Sequence, residues 1–125
     1  MNGEVIQEVF DKLQDFLPDK WGKVVLFVGY TAVSYSMKFY TCDEKDIYTD
    51  CFSQAGTSED ELILLFMQLD KILSRERNTL DDKNKWTVMT MIVKSDGSVK
   101  TELAYDDISE NFLAYEKQWK ETYLK

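Results

Sequence analysis

Residues 86–105 constrain the fold of this chain more than any other segment. Two runs rich in β-branched and aromatic residues, 86–93 and 98–105, flank a four-residue turn with Asp96-Gly97 at its centre. Asp-Gly between two such runs is typical of a β-hairpin, because glycine accepts the positive φ that a tight turn needs. The segment therefore predicts two antiparallel strands, and the fold must contain an antiparallel sheet.

Three further runs predict a second part of that sheet. Residues 23–30 are dense in Val, Leu and Phe, which indicates a buried strand. Residues 33–39 alternate apolar and polar side chains, so one face is expected to be buried and the other wet. Residues 47–52 predict a third strand with Ile47, Thr49 and Cys51 on one face. We expect these three strands to form an antiparallel meander.

Three segments have apolar residues at helical spacing. Residues 3–17 predict an amphipathic helix that ends near Pro18. The second helix is expected to begin at Ser58, where Ser58 and Glu61 match a capping box, and to end near Arg77. Its predicted buried face carries Leu62, Leu65, Phe66, Leu69, Ile72 and Leu73. The third helix follows the hairpin, and Ser109 is expected to cap it.

The order of the predicted elements is α-β-β-β-α-β-β-α. No parallel β-α-β crossover is needed, so the fold class is α+β, with an antiparallel sheet packed against helices. At 125 residues and 44% hydrophobic composition, residues 1–125 are expected to form one domain with its own core.

The longest apolar stretch, near residues 24–33, is too short to span a bilayer. No secretory signal peptide is evident, so we expect a cytoplasmic protein.

The residue types limit the chemistry that the chain can perform. There is no histidine, so Ser-His-Asp and Cys-His catalysis are excluded, and the commonest metal ligand is missing. The five glycines are scattered, and none forms a phosphate-binding loop. Cys42 and Cys51 lack metal-type spacing and are expected to be free thiols. We therefore expect no enzyme activity, no metal and no cofactor.

The net charge of −8 narrows the possible partners. It disfavours direct binding to nucleic acid or to an anionic membrane. Two explanations of the charge stay open: attraction of a basic protein partner, or solubility alone. Two groups of carboxylates are the candidate partner-binding residues: Asp43, Glu44, Asp46 and Asp50 beside the third strand, and Asp106, Asp107 and Glu110 before the last helix. Either group could also hold a divalent cation, although neither matches a calcium loop. The alternative without a partner is that the negative charges of Asp106 and Asp107 interact favourably with the positive end of the dipole of the last helix.

The aromatic stripe of the last helix has two interpretations. Phe112, Tyr115, Trp119 and Tyr123 lie on one face of the predicted helix. Aromatic residues at helical spacing are usually core, which is the favoured interpretation, but tyrosine and tryptophan are also common at protein interfaces.

Several short motifs occur in an order that resembles one known family. These are Pro18-Asp19-Lys20-Trp21 before the first strand, Trp86-Thr87, Asp96-Gly97, Tyr105-Asp106-Asp107, and Tyr115-Glu116-Lys117-Gln118 with Trp119. Together they resemble the YezG-like immunity proteins of Gram-positive bacteria. No single motif is specific, but their order and spacing cover most of the chain.

The resemblance implies an antitoxin. Such proteins bind a cognate polymorphic toxin, often a nuclease with an LXG-type secretion domain, and occlude its toxic domain in the producing cell. Two alternatives stay open at this point: an enzyme that uses carboxylates and a metal, and a cytosolic adaptor unrelated to toxins. The sequence leaves the toxin, the binding surface and the oligomeric state undetermined.

Overall fold

The computed structural model describes residues 2–54 and 56–125. Its elements follow the predicted order α-β-β-β-α-β-β-α. They are α1 (Gly3–Gln14), β1 (Lys23–Tyr30), β2 (Tyr35–Cys42), β3 (Tyr48–Asp50), a 3₁₀ helix (Cys51–Ser53), α2 (Glu59–Arg77), β4 (Val88–Lys94), β5 (Val99–Ala104) and α3 (Phe112–Tyr123). The α+β fold class is confirmed.

The five strands form one antiparallel sheet in the order β3-β2-β1-β4-β5. The predicted meander occupies one half and the predicted hairpin the other, and β1 pairs with both β2 and β4. In the hairpin turn, Gly97 has a φ of 94° and its N–H donates to the Lys94 carbonyl at 2.9 Å. Only glycine adopts this backbone conformation without strain, which is why Asp96-Gly97 located the turn correctly.

Helices cover both faces of the sheet. On one face, α1 and α2 pack against a core that includes Val24, Leu26 and Val28 of β1. On the other face, α3 packs against a second core around Val25 and Phe27. Successive residues of a strand point to opposite faces, so the continuous apolar run in β1 follows from burial on both sides.

The boundaries of α1 and β2 differ from the prediction. α1 ends at Gln14 rather than Leu17, and the Phe16 and Leu17 N–H groups make short turns to Leu13 and Gln14. Pro18 disfavours helical backbone at the residue before it, which stops the helix early. β2 begins at Tyr35 rather than Val33, because Val33 lies in the exposed hairpin turn.

The third strand is shorter than predicted. β3 spans Tyr48–Asp50 only, because the Asp50 carboxylate accepts from the Phe52 N–H at 2.8 Å and begins the 3₁₀ helix. The expected shared face of Ile47, Thr49 and Cys51 is therefore wrong: Ile47 is exposed in the loop, and Cys51 is buried in the first core.

α2 matches its prediction closely. The Ser58 hydroxyl accepts from the Glu61 N–H at 3.2 Å and lies 3.1 Å from the Glu61 carboxylate. In the expected capping box, Glu61 would instead reach back to the backbone N–H of Ser58. All six residues of the predicted apolar face are buried, and the helix ends at Arg77.

α3 begins later than expected, at Phe112, and Ser109 does not cap it. The Ser109 hydroxyl and N–H both donate to the Asp107 carboxylate, at 2.6 and 3.0 Å. Between them, Ile108 is buried in the second core, and a Cβ built on Gly29 would lie 2.9 Å from the Ile108 Cδ1. This close packing holds the segment against the sheet, so the helix starts only after it. The interpretation that Asp106 and Asp107 charge the start of the helix is therefore wrong.

Candidate functional site

The first group of candidate carboxylates lies mainly in the loop between β2 and β3. Asp43, Glu44 and Asp46 are all exposed, and we call them the loop carboxylates. The Asp43 carboxylate accepts from the Lys45 N–H at 2.9 Å and from the Ile47 N–H at 3.0 Å. Asp46 has a φ of 60°, a left-handed conformation that aspartate tolerates better than most residues. Asp43 and Asp46 thus shape the loop, whereas Glu44 is free of such a role among the described hydrogen bonds.

Asp50 is set apart from the loop carboxylates by an ion pair. Its carboxylate lies 2.9 Å from the Lys38 ammonium, and both side chains are about two-thirds or more buried. Burial alone raises the pKa of the Asp50 carboxyl, but the hydrogen bonds from Lys38 and from the Phe52 N–H outweigh it and lower the pKa overall. Asp50 therefore stays ionised but presents little net charge to a partner.

The second group lies in the segment that joins β5 to α3. Asp106, Asp107 and Glu110 are exposed on either side of the buried Ile108. The Asp106 carbonyl accepts from the Thr87 hydroxyl at 2.6 Å. The hydrogen bonds from Ser109 lower the pKa of the Asp107 carboxyl. These contacts hold the backbone of the segment in place. The carboxylates of Asp106 and Glu110 take no part in them and lie at the surface.

The two acidic groups lie at opposite ends of the sheet. The loop carboxylates follow Cys42, which pairs with Lys23 at the start of β1. The second group follows Ala104, which pairs with Val88, and Val88 pairs with Gly29 near the end of β1. Six residues of strand separate these ends, about 20 Å at roughly 3.3 Å per residue. The two groups therefore do not form one site.

The aromatic stripe of α3 is core, as the favoured interpretation expected. Trp119 is buried, its ring centroid lies 5.1 Å from that of Phe27 and 5.8 Å from that of Tyr40, and its indole N–H donates to the Thr90 hydroxyl at 2.8 Å. Phe112, Tyr115 and Tyr123 are half-buried against the same cluster. This face of α3 is occupied by the sheet and is not free to bind a partner.

A cluster of exposed apolar side chains covers the outer side of the first half of α2. Its members, which we call the α2 patch, keep about half of their surface in solvent: Phe52 45%, Ile63 46%, Leu64 58% and Met67 52%. Ile63 and Leu64 are each within one turn of Met67 on the helix surface. Phe52, in the 3₁₀ helix, lies beside α2, where its ring is 6.1 Å from that of Phe66. An exposed group of large apolar side chains marks an interaction surface more often than isolated ones do.

The α2 patch was not among the predicted partner-binding residues, although the sequence carries a signal for it. Residues 62–67 are six consecutive apolar residues inside a helix. At about 100° per residue, six residues go all the way around the axis, so some of them must face away from the core. The helix prediction named only the buried face of this run, so Ile63, Leu64 and Met67 had no predicted role.

Possible metal ligands and the two thiols are the remaining candidates for chemistry. Among residues 2–54 and 56–125, no three cysteine or carboxylate side chains come together in a way that could hold a metal ion. Neither cysteine is in a disulfide, and burial raises the pKa of the Cys51 thiol to about 11, which keeps it protonated and unreactive. Within this part of the chain, none of the helices has the length and apolar character needed to cross a bilayer.

Comparison with known proteins places the chain beside a family of immunity proteins. Residues 3–125 match a family model described as immunity protein YezG-like. The match spans almost the whole chain, including both sheet halves, α2 and α3. A search of curated proteins gives no match.

Proposed function

The chain belongs to the YezG-like immunity protein family, and we propose that it binds and neutralises a cognate secreted toxin. The family match over residues 3–125 is the observation that carries this proposal. Neutralisation is by binding rather than by catalysis, and takes place in the cytoplasm of the producing cell, where the toxin would otherwise act. No cofactor is needed for this function.

We further propose that the toxin is a nuclease, of the LXG-secreted type that the family resemblance implies. A nuclease must hold an anionic substrate, so its active-site groove is basic. The net charge of −8 suits such a groove and speeds the encounter of the two proteins. Carboxylates at the surface of the immunity protein stand in for the phosphates, and the toxic domain is occluded.

The proposed carboxylate contacts are those of the two acidic groups described above. These are Asp43, Glu44, Asp46 and Asp50 on one side, and Asp106, Asp107 and Glu110 on the other. Within them, Glu44 and Asp106 are the best probes of charge, because both are exposed and no described side-chain hydrogen bond involves their carboxylates. Asp43 and Asp107 are poorer probes because their carboxylates hold the backbone in place.

The test is co-expression with the candidate toxin domains encoded beside this gene, followed by binding kinetics at low and high salt. We expect the native protein to restore growth, and Glu44→Lys or Asp106→Lys to slow association and reduce its salt dependence. Glu121→Lys is the matched control, since Glu121 is exposed on α3 and outside both groups.

Two results would contradict parts of the proposal. If the native protein protects against none of the neighbouring toxins, the immunity function is wrong. If it protects but both reversals leave the association rate unchanged, the toxin is bound without help from these carboxylates. Thermal melts accompany each variant, because exposed substitutions are expected to change stability by no more than about 0.5 kcal/mol.

A further inference from the structure

The apolar side chains of the α2 patch need an explanation that the fold does not supply. On the inner side of the helix, Leu62, Leu65 and Phe66 are buried in the first core. On the outer side, Ile63, Leu64 and Met67 are left about half exposed. A helix face that contacts only solvent usually carries charged or amide residues, which keep the protein soluble. Apolar side chains grouped in this way are typical of a surface that contacts another molecule.

The border of the patch carries unpaired negative charge. Glu59, Asp60 and Glu61 form the first turn of α2, next to Ile63 and Leu64. None of the ion pairs among the described residues involves these three carboxylates. The helix dipole offsets only about half a charge at this end, so the border stays strongly negative. An apolar centre with an acidic border fits a surface that has an apolar pocket edged by lysine and arginine.

We infer that the α2 patch and its acidic border form the surface that docks on the cognate toxin. This inference rests on the proposed function, and names the surface and the chemistry of the toxin surface that it fits. Large apolar side chains that become fully buried in a complex form the apolar core of an interface, where phenylalanine and methionine are enriched. The carboxylates at the border add orientation and on-rate rather than most of the affinity.

A second copy of this chain fits the α2 patch less well than a basic toxin does. The patch consists of four side chains that are each about half exposed, whereas a stable interface needs about 800 Å² from each partner. A dimer that extended beyond the patch to reach this area would bring together two chains of net charge −8. A basic toxin that contacted the same larger surface would instead be attracted by its negative charge.

The patch is also linked to one of the two acidic groups. Asp50, at the end of β3, caps the 3₁₀ helix that carries Phe52. The Phe52 ring in turn packs against Phe66 of α2. The loop carboxylates precede this connection in the chain, whereas the second acidic group lies at the other end of the sheet. The surface around α2 can therefore extend toward the β2–β3 loop.

The experiment removes the apolar character without changing charge. Leu64→Gln with Met67→Gln keeps good helix formers at exposed positions. Leu113→Gln is the matched control, because Leu113 is 80% exposed on α3, on the opposite face of the sheet. The probe is the purified toxin domain against which the native protein protects in co-expression, inactivated by mutation, and its dissociation constant is measured by calorimetry. Light scattering on the free protein gives its mass, and melts confirm folding.

We expect the double variant to bind at least tenfold more weakly and the control to change less than twofold. Asp60→Lys should also weaken binding, and more so at low salt. Equal binding of the double variant and the native protein overturns the inference but leaves the proposed function intact. A native protein that neither binds nor protects overturns the proposed function itself. A free dimer that Leu64→Gln with Met67→Gln dissociates would assign the patch to a second copy and overturn the inference.

Discussion

The hydrogen bond between α3 and the sheet offers a sharp test of how the second core is held together. The Trp119 indole N–H donates to the Thr90 hydroxyl, and the residues are 4% and 2% exposed. Thr90→Val removes the acceptor with little change of shape. The indole N–H is then left buried without a partner, which costs about 1–3 kcal/mol of unfolding free energy.

The packing around Trp119 decides where in this range the cost falls. Its ring lies 5.1 Å from that of Phe27, 5.8 Å from that of Tyr40 and 5.3 Å from that of Tyr123, measured between centroids. Aromatic rings on three sides restrict the access of water to the N–H, so we expect at least 2 kcal/mol. With an unfolding entropy of about 2.1 cal/mol/K per residue and 125 residues, each kcal/mol lowers Tm by about 4 °C.

Urea denaturation and a double-mutant cycle with Trp119→Phe measure the effect. In the Trp119→Phe background there is no indole N–H to leave unsatisfied, so Thr90→Val should cost far less there than in the native protein. The difference between the two costs is the coupling energy, expected to be about 2 kcal/mol. If Thr90→Val changes stability by less than about 0.5 kcal/mol in the native protein, or by the same amount in both backgrounds, the hydrogen bond does not hold α3 and the reasoning is refuted.

Three further predictions concern the first core, an ion pair and metals. Phe66→Ala should cost about 3–5 kcal/mol in denaturant melts, because Phe66 packs between the rings of Phe39 and Phe52 and its loss leaves a cavity. Asp50→Asn keeps the cap on the 3₁₀ helix but removes the charge that pairs with Lys38. Since folding lowers the pKa of Asp50 from its ordinary value of 3.8, the pair stabilises above about pH 4 and this contribution is lost as the pH falls through the folded-state pKa. The stability difference between the native protein and Asp50→Asn should therefore shrink below about pH 4 in melts over a pH series. Elemental analysis after dialysis should find no stoichiometric magnesium, calcium or zinc, and a stoichiometric ion would revive the carboxylate-site alternative.

The local features of the fold were predictable because a few neighbouring residues determine them. The hairpin turn depends on Gly97, whose positive φ few other residues accept. The start of α2 depends on Ser58 and Glu61, three residues apart. The start of α3 was not predictable in this way, because it depends on Ile108 packing close to Gly29, almost 80 residues earlier in the chain. Only the folded sheet brings these two residues together.

The placement of the helices was only partly predictable. The apolar run of β1 indicates a strand covered on both faces, but nothing in the spacing of α1, α2 or α3 says which helix covers which face. The carboxylates were found by charge alone, and charge does not distinguish their roles. The structure gives Asp43, Asp50 and Asp107 partners within the fold, and these partners depend on loop conformations that the sequence pattern does not specify.

The two faces of the sheet differ in what they offer to a toxin. The α3 face is sealed by its aromatic residues, whereas the outer side of α2 keeps apolar side chains in solvent. On the proposed function, long-range charge governs how fast the proteins meet, and burial of the α2 patch governs how slowly they separate. Glu44→Lys should then lower the association rate with little effect on dissociation, and Leu64→Gln with Met67→Gln should do the reverse. Stopped-flow mixing and competition measure the two rates separately. If the apolar variant slows association while leaving dissociation unchanged, the patch does not contact the toxin in the final complex.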